Sequence, residues 1–260
     1  MKRKNEIRRH QKGFSLIELM TVVVILMLVT GVVFQQIDLV QKRARSEDVK
    51  MDLTQESREF VDQMVRDLHT SGYPNKRMYI TNLFGVSPTD MNDNRNAVGL
   101  VQVTATSLWF EGDVDGDGQV DSIQYQLQAP GGRCPCTIRR SQVVKVNGTA
   151  PMAQASNFNQ EVNNVINSGG AFPIGGTSPP GLPIPDTLYG AYKAAPVFQA
   201  YDSNGALLAL PLDIVANPTS MSTIKTIRIT LNVLAGPEGT DIQTRMRPAV
   251  SMTAAARVNN

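Results

Sequence analysis

The chain has 260 residues, enough for one sizeable domain plus additional elements. Its formal net charge is only +2, but residues 1–13 carry six basic residues and one acidic residue, whereas the remainder carries 19 basic and 22 acidic residues. A basic surplus confined to a short N-terminal tail argues against direct nucleic-acid binding and is typical of a positive-inside topology signal.

An apolar segment follows this basic tail. Residues 14–37 would form about 36 Å of helix at ~1.5 Å per residue, so they can span a bilayer. The Lys/Arg bias predicts a cytoplasmic N-terminus and export of the residues beyond about 40. Glu18 is the exception in this segment, because a carboxylate near the bilayer centre costs a few kcal/mol or more. It could snorkel to the headgroups or be neutralised by a cation inside an assembly.

The residues Lys12-Gly13-Phe14-Ser15-Leu16-Ile17-Glu18-Leu19 resemble the class III signal of type IV pilins and pseudopilins. The resemblance implies that a prepilin peptidase cleaves after Gly13 on the cytoplasmic side, and that the new N-terminal residue, Phe14, is N-methylated by a methyltransferase. It further implies that Glu18 pairs with the N-terminal amine of a neighbouring subunit. The expected partners are therefore other pilins or pseudopilins, the peptidase and methyltransferase, and an inner-membrane assembly platform.

The helical pattern continues far beyond the apolar segment. Residues 38–69 contain neither Gly nor Pro, and apolar residues recur along one face at helical spacings. These residues are Val49, Leu53, Phe60, Val61, Met64, Val65 and Leu68. We predict one helix from about residue 15 to 70, whose second half packs on the exported domain and which ends at Ser71-Gly72-Tyr73-Pro74.

The rest of the chain is predicted to form strands and turns. Alternation predicts strands at 98–104, 107–111, 122–128, 197–201, 223–234 and 245–257, with a short hairpin at 137–146. Residues 150–193 are rich in Asn, Gly, Pro and Ala, which predicts an exposed, flexible insertion. A helix followed by an antiparallel sheet defines an α+β fold, and the N-terminal resemblance implies that this fold is pilin-like.

The predicted domain organisation follows from these elements. It consists of a cleaved leader at 1–13, a long helix at 14–70 with a transmembrane part at 14–37, and an exported β-rich domain at 71–260. Together with the resemblance to pilins, this organisation implies a single-pass protein of the bacterial inner membrane, whose C-terminal domain is periplasmic or extracellular and which is incorporated into a pilus or pseudopilus.

The segment Asp113-Val114-Asp115-Gly116-Asp117-Gly118-Gln119-Val120-Asp121 is the best candidate for a metal site. Aspartates at positions one, three and five, Gly at six and an acid at nine match the first part of a calcium loop, with Gln119 offering its backbone carbonyl. The twelfth position is Gln124 instead of a bidentate Glu, and predicted strands flank the loop. The alternatives are a calcium site with a dissociation constant of about 10⁻⁴–10⁻³ M and a solvated, metal-free hairpin turn.

The cysteines, the histidines and the glycine-rich segments give little support for a catalytic or cofactor-binding site. Cys134-Pro135-Cys136 would lie in an oxidising compartment after export, where a strained local disulfide, free thiols and intermolecular pairing are all open. The histidines are His10, in the leader, and His69, near the helix end, and no phosphate loop or dinucleotide fingerprint is present. The sequence therefore predicts no enzyme activity and no cofactor other than calcium.

A looser second resemblance bears on the role within the family. Residues 108–127 and 224–233 resemble the W-type minor pilins of type IV pili and the J-type minor pseudopilins of type II secretion. The expected function is a minor subunit that primes or caps assembly of a type IV pilus, with a J-type minor pseudopilin as the alternative. A filament-tip adhesin that uses residues 150–193 or the Asp113 loop is the alternative from the binding class.

Overall fold

The computed structural model describes residues 15–75, 78, 90–174, 177–178, 182–183, 186–240 and 246–258. The chain divides into two compact units, with the boundary between Arg45 and Ser46. The described part of the first unit is helical after Ser15, and the second unit contains the remainder of that helix together with all the described strands.

The first element, α1, is a 54-residue helix from Leu16 to His69, about 80 Å long at ~1.5 Å per residue. The predicted helix over residues 15 to 70 is confirmed. Its sequence is rich in good helix formers, and Gly31 is its only glycine. The chain leaves the helix through Gly72, whose φ of 76° favours glycine, and Pro74 then cannot donate a backbone hydrogen bond.

The second unit is built on one large antiparallel sheet. Its strands are β1 (Leu100–Val103), β2 (Ser107–Gly112), β3 (Asp121–Gln128), β4 (Cys136–Val144), β5 (Phe158–Val165), β8 (Phe198–Tyr201), β9 (Leu212–Asp213), β10 (Thr226–Leu234) and β11 (Ala249–Arg257). They follow the order β11-β10-β5-β4-β3-β2-β1-β9 in the sheet, and β8 pairs with part of β10. A separate two-stranded ribbon consists of β6 (Thr177–Ser178) and β7 (Leu182–Pro183). The short helices are α2 (Asp186–Ala194) and α3 (Pro218–Thr223), with 3₁₀ turns at Pro130–Gly132, Pro151–Ala153 and Pro237–Gly239.

The core lies between the C-terminal part of α1 and one face of the sheet. Four helix residues from the predicted apolar face, Phe60, Val61, Met64 and Leu68, are buried in the same cluster as the inward side chains of the sheet. Among the latter, Tyr125 meets the ring of Phe60 edge-on at 5.9 Å between centroids. The helix thus buries its apolar stripe on the sheet, as the four- and seven-residue spacings predicted. The α+β, pilin-like fold predicted from the sequence is confirmed.

Two strand predictions need correction. Residues 137–146 do not form a hairpin, because β4 is a single nine-residue strand that pairs with β3 along its length. Residues 150–193 are not simply an exposed insertion, because residues 158–165 form β5, which pairs with both β4 and β10. The strand carries few hydrophobes, since only Val162 and Val165 are buried in it, and its place is determined by backbone pairing with its neighbours. Deleting 150–193 would therefore remove an inner strand of the sheet, and such a deletion is unsuitable as a test of adhesion.

Candidate functional sites

The N-terminal part of α1 presents an apolar surface to its surroundings. From Leu16 to Ile37 the large apolar side chains are exposed, at 40–77% of their full accessible surface. By length and composition this helix can cross a membrane. Glu18 is the only ionisable residue between Ser15 and Ile37, so any membrane or helix bundle that covers this surface must also accommodate one carboxylate.

Glu18 lies in the first turn of α1, where the partial positive charge of the helix N-terminus favours a carboxylate. The backbone N–H of Glu18 donates to the carbonyl oxygen of Ser15 at 3.0 Å, and the Thr21 hydroxyl donates to the carbonyl oxygen of Glu18 at 2.9 Å. Within the described part of the chain, no donor or cation contacts its exposed carboxylate. The predicted processing residues Gly13 and Phe14 lie outside the described residues, as does the leader.

The Asp113 loop connects β2 to β3 and brings three of the predicted calcium ligands together. Carboxylate oxygens of Asp113, Asp115 and Asp117 all lie within 4.8 Å of one another. Two oxygens that bind one Ca²⁺ at about 2.3–2.6 Å are at most about 5 Å apart, so this arrangement fits the ion. The Asp113 carboxylate also accepts from the backbone N–H groups of Gly116 at 2.8 Å and Gly118 at 3.1 Å, so it shapes the loop as well.

The other two predicted ligands differ from these three. Asp121 is buried at the start of β3, and its Oδ2 accepts a hydrogen bond from Gln142 Nε2 at 2.7 Å. Burial is the main cause that raises the pKa of Asp121 to about 6; the Gln142 hydrogen bond opposes this shift, and the negative charges of the three loop aspartates add to it. Gln119 donates its side-chain amide to Asp117 Oδ2 at 2.8 Å. Calcium binding by this loop stays a prediction, with Asp115 and Asp117 as the exposed ligands.

Cys134 and Cys136 form a disulfide with each other, and both residues are fully buried. Cys136 is the first residue of β4, and the backbone N–H of Cys134 donates to the carbonyl oxygen of Pro173 at 2.8 Å. Of the three alternatives that the sequence left open, the structure contains the local bridge. Its burial makes it part of the core and keeps the sulfur atoms away from other molecules.

A buried polar cluster that sequence reasoning missed joins α1 to the sheet. Asp67 Oδ2 accepts hydrogen bonds from the Tyr125 hydroxyl at 2.5 Å and from Arg140 Nε at 2.9 Å and Nη2 at 2.8 Å. Burial raises the pKa of the Tyr125 hydroxyl, and the neighbouring Asp67 charge raises it further. A signal was present in the sequence, because Asp67 falls on the same helical stripe as Phe60 and Met64.

A second buried charge pair joins Glu111 of β2 to Lys145, the residue that follows β4. Lys145 Nζ contacts Glu111 Oε2 at 2.6 Å, and both side chains are completely buried. The same ammonium donates to the carbonyl oxygens of Met91 at 2.6 Å and Asn96 at 2.8 Å. These hydrogen bonds connect the segment 90–97 to the end of β4. Burial raises the pKa of Glu111, an effect that the Lys145 charge opposes. No local sequence pattern indicates this pair, since its members are brought together only by the tertiary fold.

The exposed apolar part of α1, residues 16–37, is called the stem below. A long N-terminal helix with such a stem, followed by an antiparallel sheet domain, defines a pilin-like fold. Comparison with protein families agrees: the model described as the prokaryotic N-terminal methylation motif matches residues 8–34. The match covers 27 of the 260 residues. It shows that this N-terminal segment is similar to the processing signal of type IV pilins and pseudopilins, and together with the fold it supports a pilin-like, membrane-anchored subunit. This motif implies processing by a prepilin peptidase and contacts with other pilins. No curated protein and no solved structure matches the chain.

Proposed function

We propose that this protein is a minor pilin that primes or caps the assembly of a type IV pilus. The observation that carries the proposal is the exposed apolar stem with Glu18 as its only ionisable residue. Such a stem is suited to storage in a membrane and then to packing among similar helices. The function is assembly and not turnover of a substrate.

The size of the exported domain favours a terminal position in the filament. A 215-residue unit, Ser46–Asn260, has a radius of gyration of roughly 17 Å if compact, whereas a helix is only about 10–12 Å across. Stems packed side by side along a shaft would bring such domains into conflict, because each domain is several times wider than its stem. A subunit at the end of the filament has neighbours on one side only.

Processing and pairing give the proposed mechanism. Cleavage between Gly13 and Phe14 on the cytoplasmic side frees the amine of Phe14, which is then methylated. The Glu18 carboxylate pairs with the corresponding amine of a neighbouring subunit and sets the register between stems. Breaking such a buried pair by removing one partner costs about 3–5 kcal/mol. The exported domain faces the periplasm or the exterior, and the inner-membrane platform inserts the subunit into the filament.

The test compares variants that differ in one carboxylate. Glu18→Gln should enter sheared filaments at least about a hundredfold less than the wild type, as expected from the loss of a pair worth about 3–5 kcal/mol. Asp38→Asn is the matched control, because Asp38 is an exposed residue of the same helix whose ion pair with Lys42 lies at the surface. Normal incorporation of Glu18→Gln would contradict the proposal. Processing is tested separately: mass spectrometry of the mature protein should find a methylated Phe14 at its N-terminus.

Stoichiometry decides between this role and others in the family. A minor subunit should be present at a few copies per filament, and an abundant subunit along the shaft would contradict the proposal. A J-type minor pseudopilin of a type II secretion system is the alternative within the family. The neighbouring genes separate the two machines: a retraction ATPase indicates a retractile pilus, whereas secreted hydrolases indicate a type II secretion system.

A further inference from the structure

The last strand of the sheet, β11, has a partner strand on one side. It pairs with β10 along its whole length, from Thr226 opposite Arg257 to Leu234 opposite Ala249. Among the strands that the structure describes, none pairs with its other side. At nine residues, β11 is longer than the usual strand of about five to six residues.

The hydrogen-bond alternation of an antiparallel ladder identifies the backbone groups on the free side. Just beyond the two ends of β11, Val258 N donates to the carbonyl oxygen of Lys225 at 3.0 Å, and Ala235 N donates to that of Pro248 at 2.8 Å. Even-numbered residues of β11 are therefore in register for hydrogen bonding with β10, and odd-numbered residues direct their backbone groups outward. The outward residues are Ala249, Ser251, Thr253, Ala255 and Arg257. Each offers one N–H donor and one C=O acceptor to an incoming strand.

This edge lacks the features by which proteins usually block strand addition. Such features are proline, charged side chains, bulges and very short edge strands. The register of β11 is uninterrupted, it contains no proline, and Arg257 at its end is its only charge. On the core face, Met252 and Ala254 are only partly buried against the core, and a further strand would cover them. The edge is thus able to accept a strand with apolar residues on that face.

Charge on the opposite face indicates the chemistry of the incoming strand. Arg257 is exposed, and Arg228 is exposed beside Ala255, to which it is paired in the ladder. The Arg228 guanidinium lies 4.9 Å from the centroid of the Tyr201 ring, which holds it at this end of the edge. Two cations at one end of the strand complement a carboxylate on the same face of a partner strand.

The direction of α1 argues against a second copy as the partner. An isologous pair of β11 edges would be related by a two-fold axis perpendicular to the sheet. Residues 46–69 of α1 lie on the sheet face through Phe60 and Met64, so this rotation would reverse the helix. The N-terminal ends of the two helices would then point in opposite directions, although both chains enter the membrane from that end.

We propose that the free edge of β11 binds an extended strand of a different subunit of the same filament, by β-strand addition. The incoming strand has apolar residues facing Met252 and Ala254 and a carboxylate facing Arg228 and Arg257. This inference rests on the proposed function, because only a filament subunit has such neighbours. It adds to that function a specific surface outside the stem by which one subunit selects the next.

The first test removes one outward donor. The N–H of Thr253 points away from β10, so Thr253→Pro deletes a donor on the free edge and leaves the ladder to β10 in place. Thr253→Ala is the matched control, since it changes the side chain and keeps the N–H. Both variants should retain the wild-type unfolding midpoint in detergent. Thr253→Pro should be depleted about tenfold or more from sheared filaments, and Thr253→Ala should be incorporated normally. Equal incorporation of the two would overturn the proposal.

The second test keeps the wild-type backbone and so decides the matter if Thr253→Pro fails to fold. A photo-reactive residue at Ala255, in cells that assemble the filament, should cross-link to an extended segment of another pilus subunit, located by mass spectrometry. The same residue at Gln126, an exposed position on inner strand β3, is the control. A product that joins two copies of this chain, equal labelling from Gln126, or no product would each overturn the proposal. Failure of the Glu18→Gln prediction would instead contradict the proposed function.

Discussion

Replacing Asp67 by alanine is expected to destabilise the second unit, Ser46–Asn260, more than any change at an exposed acidic residue of α1. Asp67 Oδ2 accepts from Tyr125 on β3 and twice from Arg140 on β4, so one carboxylate joins the helix to two strands. The side chains of Asp67 and Arg140 are only 7% and 13% exposed. Solvent therefore screens this ion pair weakly, in contrast to the surface pair of Asp38 and Lys42.

The expected magnitude follows from what the substitution leaves behind. Asp67→Ala leaves the Arg140 guanidinium buried without its counter-ion and removes an acceptor from Tyr125. Removing one member of a buried ion pair costs about 3–5 kcal/mol, which is a large part of a typical unfolding free energy of about 5–15 kcal/mol. The double variant Asp67→Leu/Arg140→Met removes both charges together, and it should recover most of the lost stability because no uncompensated charge remains.

The assay is urea unfolding of the full chain in detergent, followed by tryptophan fluorescence. Trp109 is the only tryptophan, and its indole N–H donates to Ser122 Oγ at 2.8 Å within the sheet, so its emission reports on the folded unit. Asp62→Ala is the matched control, since Asp62 is an exposed residue of the same helix, and it should change the unfolding free energy by less than about 0.5 kcal/mol. The reasoning is refuted if Asp67→Ala behaves like Asp62→Ala, or if the double variant is no more stable than Asp67→Ala.

Three further predictions concern the other charged groups. Lys145→Met should lower the unfolding free energy by about 3–5 kcal/mol, because it leaves the buried Glu111 carboxylate without its cation. For a dissociation constant of about 1 mM, 10 mM Ca²⁺ should stabilise the wild type by about 1.4 kcal/mol, measured by thermal unfolding, and it should not stabilise a double variant with Asp115→Asn and Asp117→Asn. Burial and, to a smaller extent, Asp67 raise the pKa of Glu161, while Arg140 lowers it. Because a raised carboxyl pKa weakens folding as pH rises through it, Glu161→Gln should be more stable than the wild type at pH 7 and equally stable at pH 4.

Each of these predictions has a matched control and a contradicting outcome. For Lys145, the control is Lys50→Met, since Lys50 pairs with Glu47 at the surface; equal losses in the two would show that burial is not the cause. For calcium, Mg²⁺ at the same concentration is the control, and stabilisation that survives in the double variant would place the ion elsewhere. For Glu161, a constant difference between variant and wild type from pH 4 to pH 7 would argue against titration of this carboxyl.

Much of the fold was predictable because the relevant patterns are local. The four- and seven-residue spacings from Phe60 to Leu68 identify a helix with one buried face, and the breakers from Ser71 to Pro74 end it. Alternation identified β3 and β10 for the same reason, since a half-buried strand alternates its side chains. The prediction of an exposed insertion over 150–193 missed β5 because this strand has only two buried side chains. Its place depends on backbone hydrogen bonds to β4 and β10, which carry no side-chain signature.

The sequence by itself determined the features that depend on composition along the chain: the basic tail, the apolar stem, the isolated carboxylate of Glu18 and the methylation motif at residues 8–34. These features can be recognised in the sequence without knowledge of the fold, because membrane insertion and peptidase recognition act on a continuous segment of the chain. The tertiary structure alone decided which distant groups meet. It placed Asp67 against Tyr125 and Arg140, enclosed Lys145 with Glu111, and left one side of β11 without a partner among the described strands. Contacts between residues far apart in the chain depend on strand order and register, and neither is encoded in any local pattern.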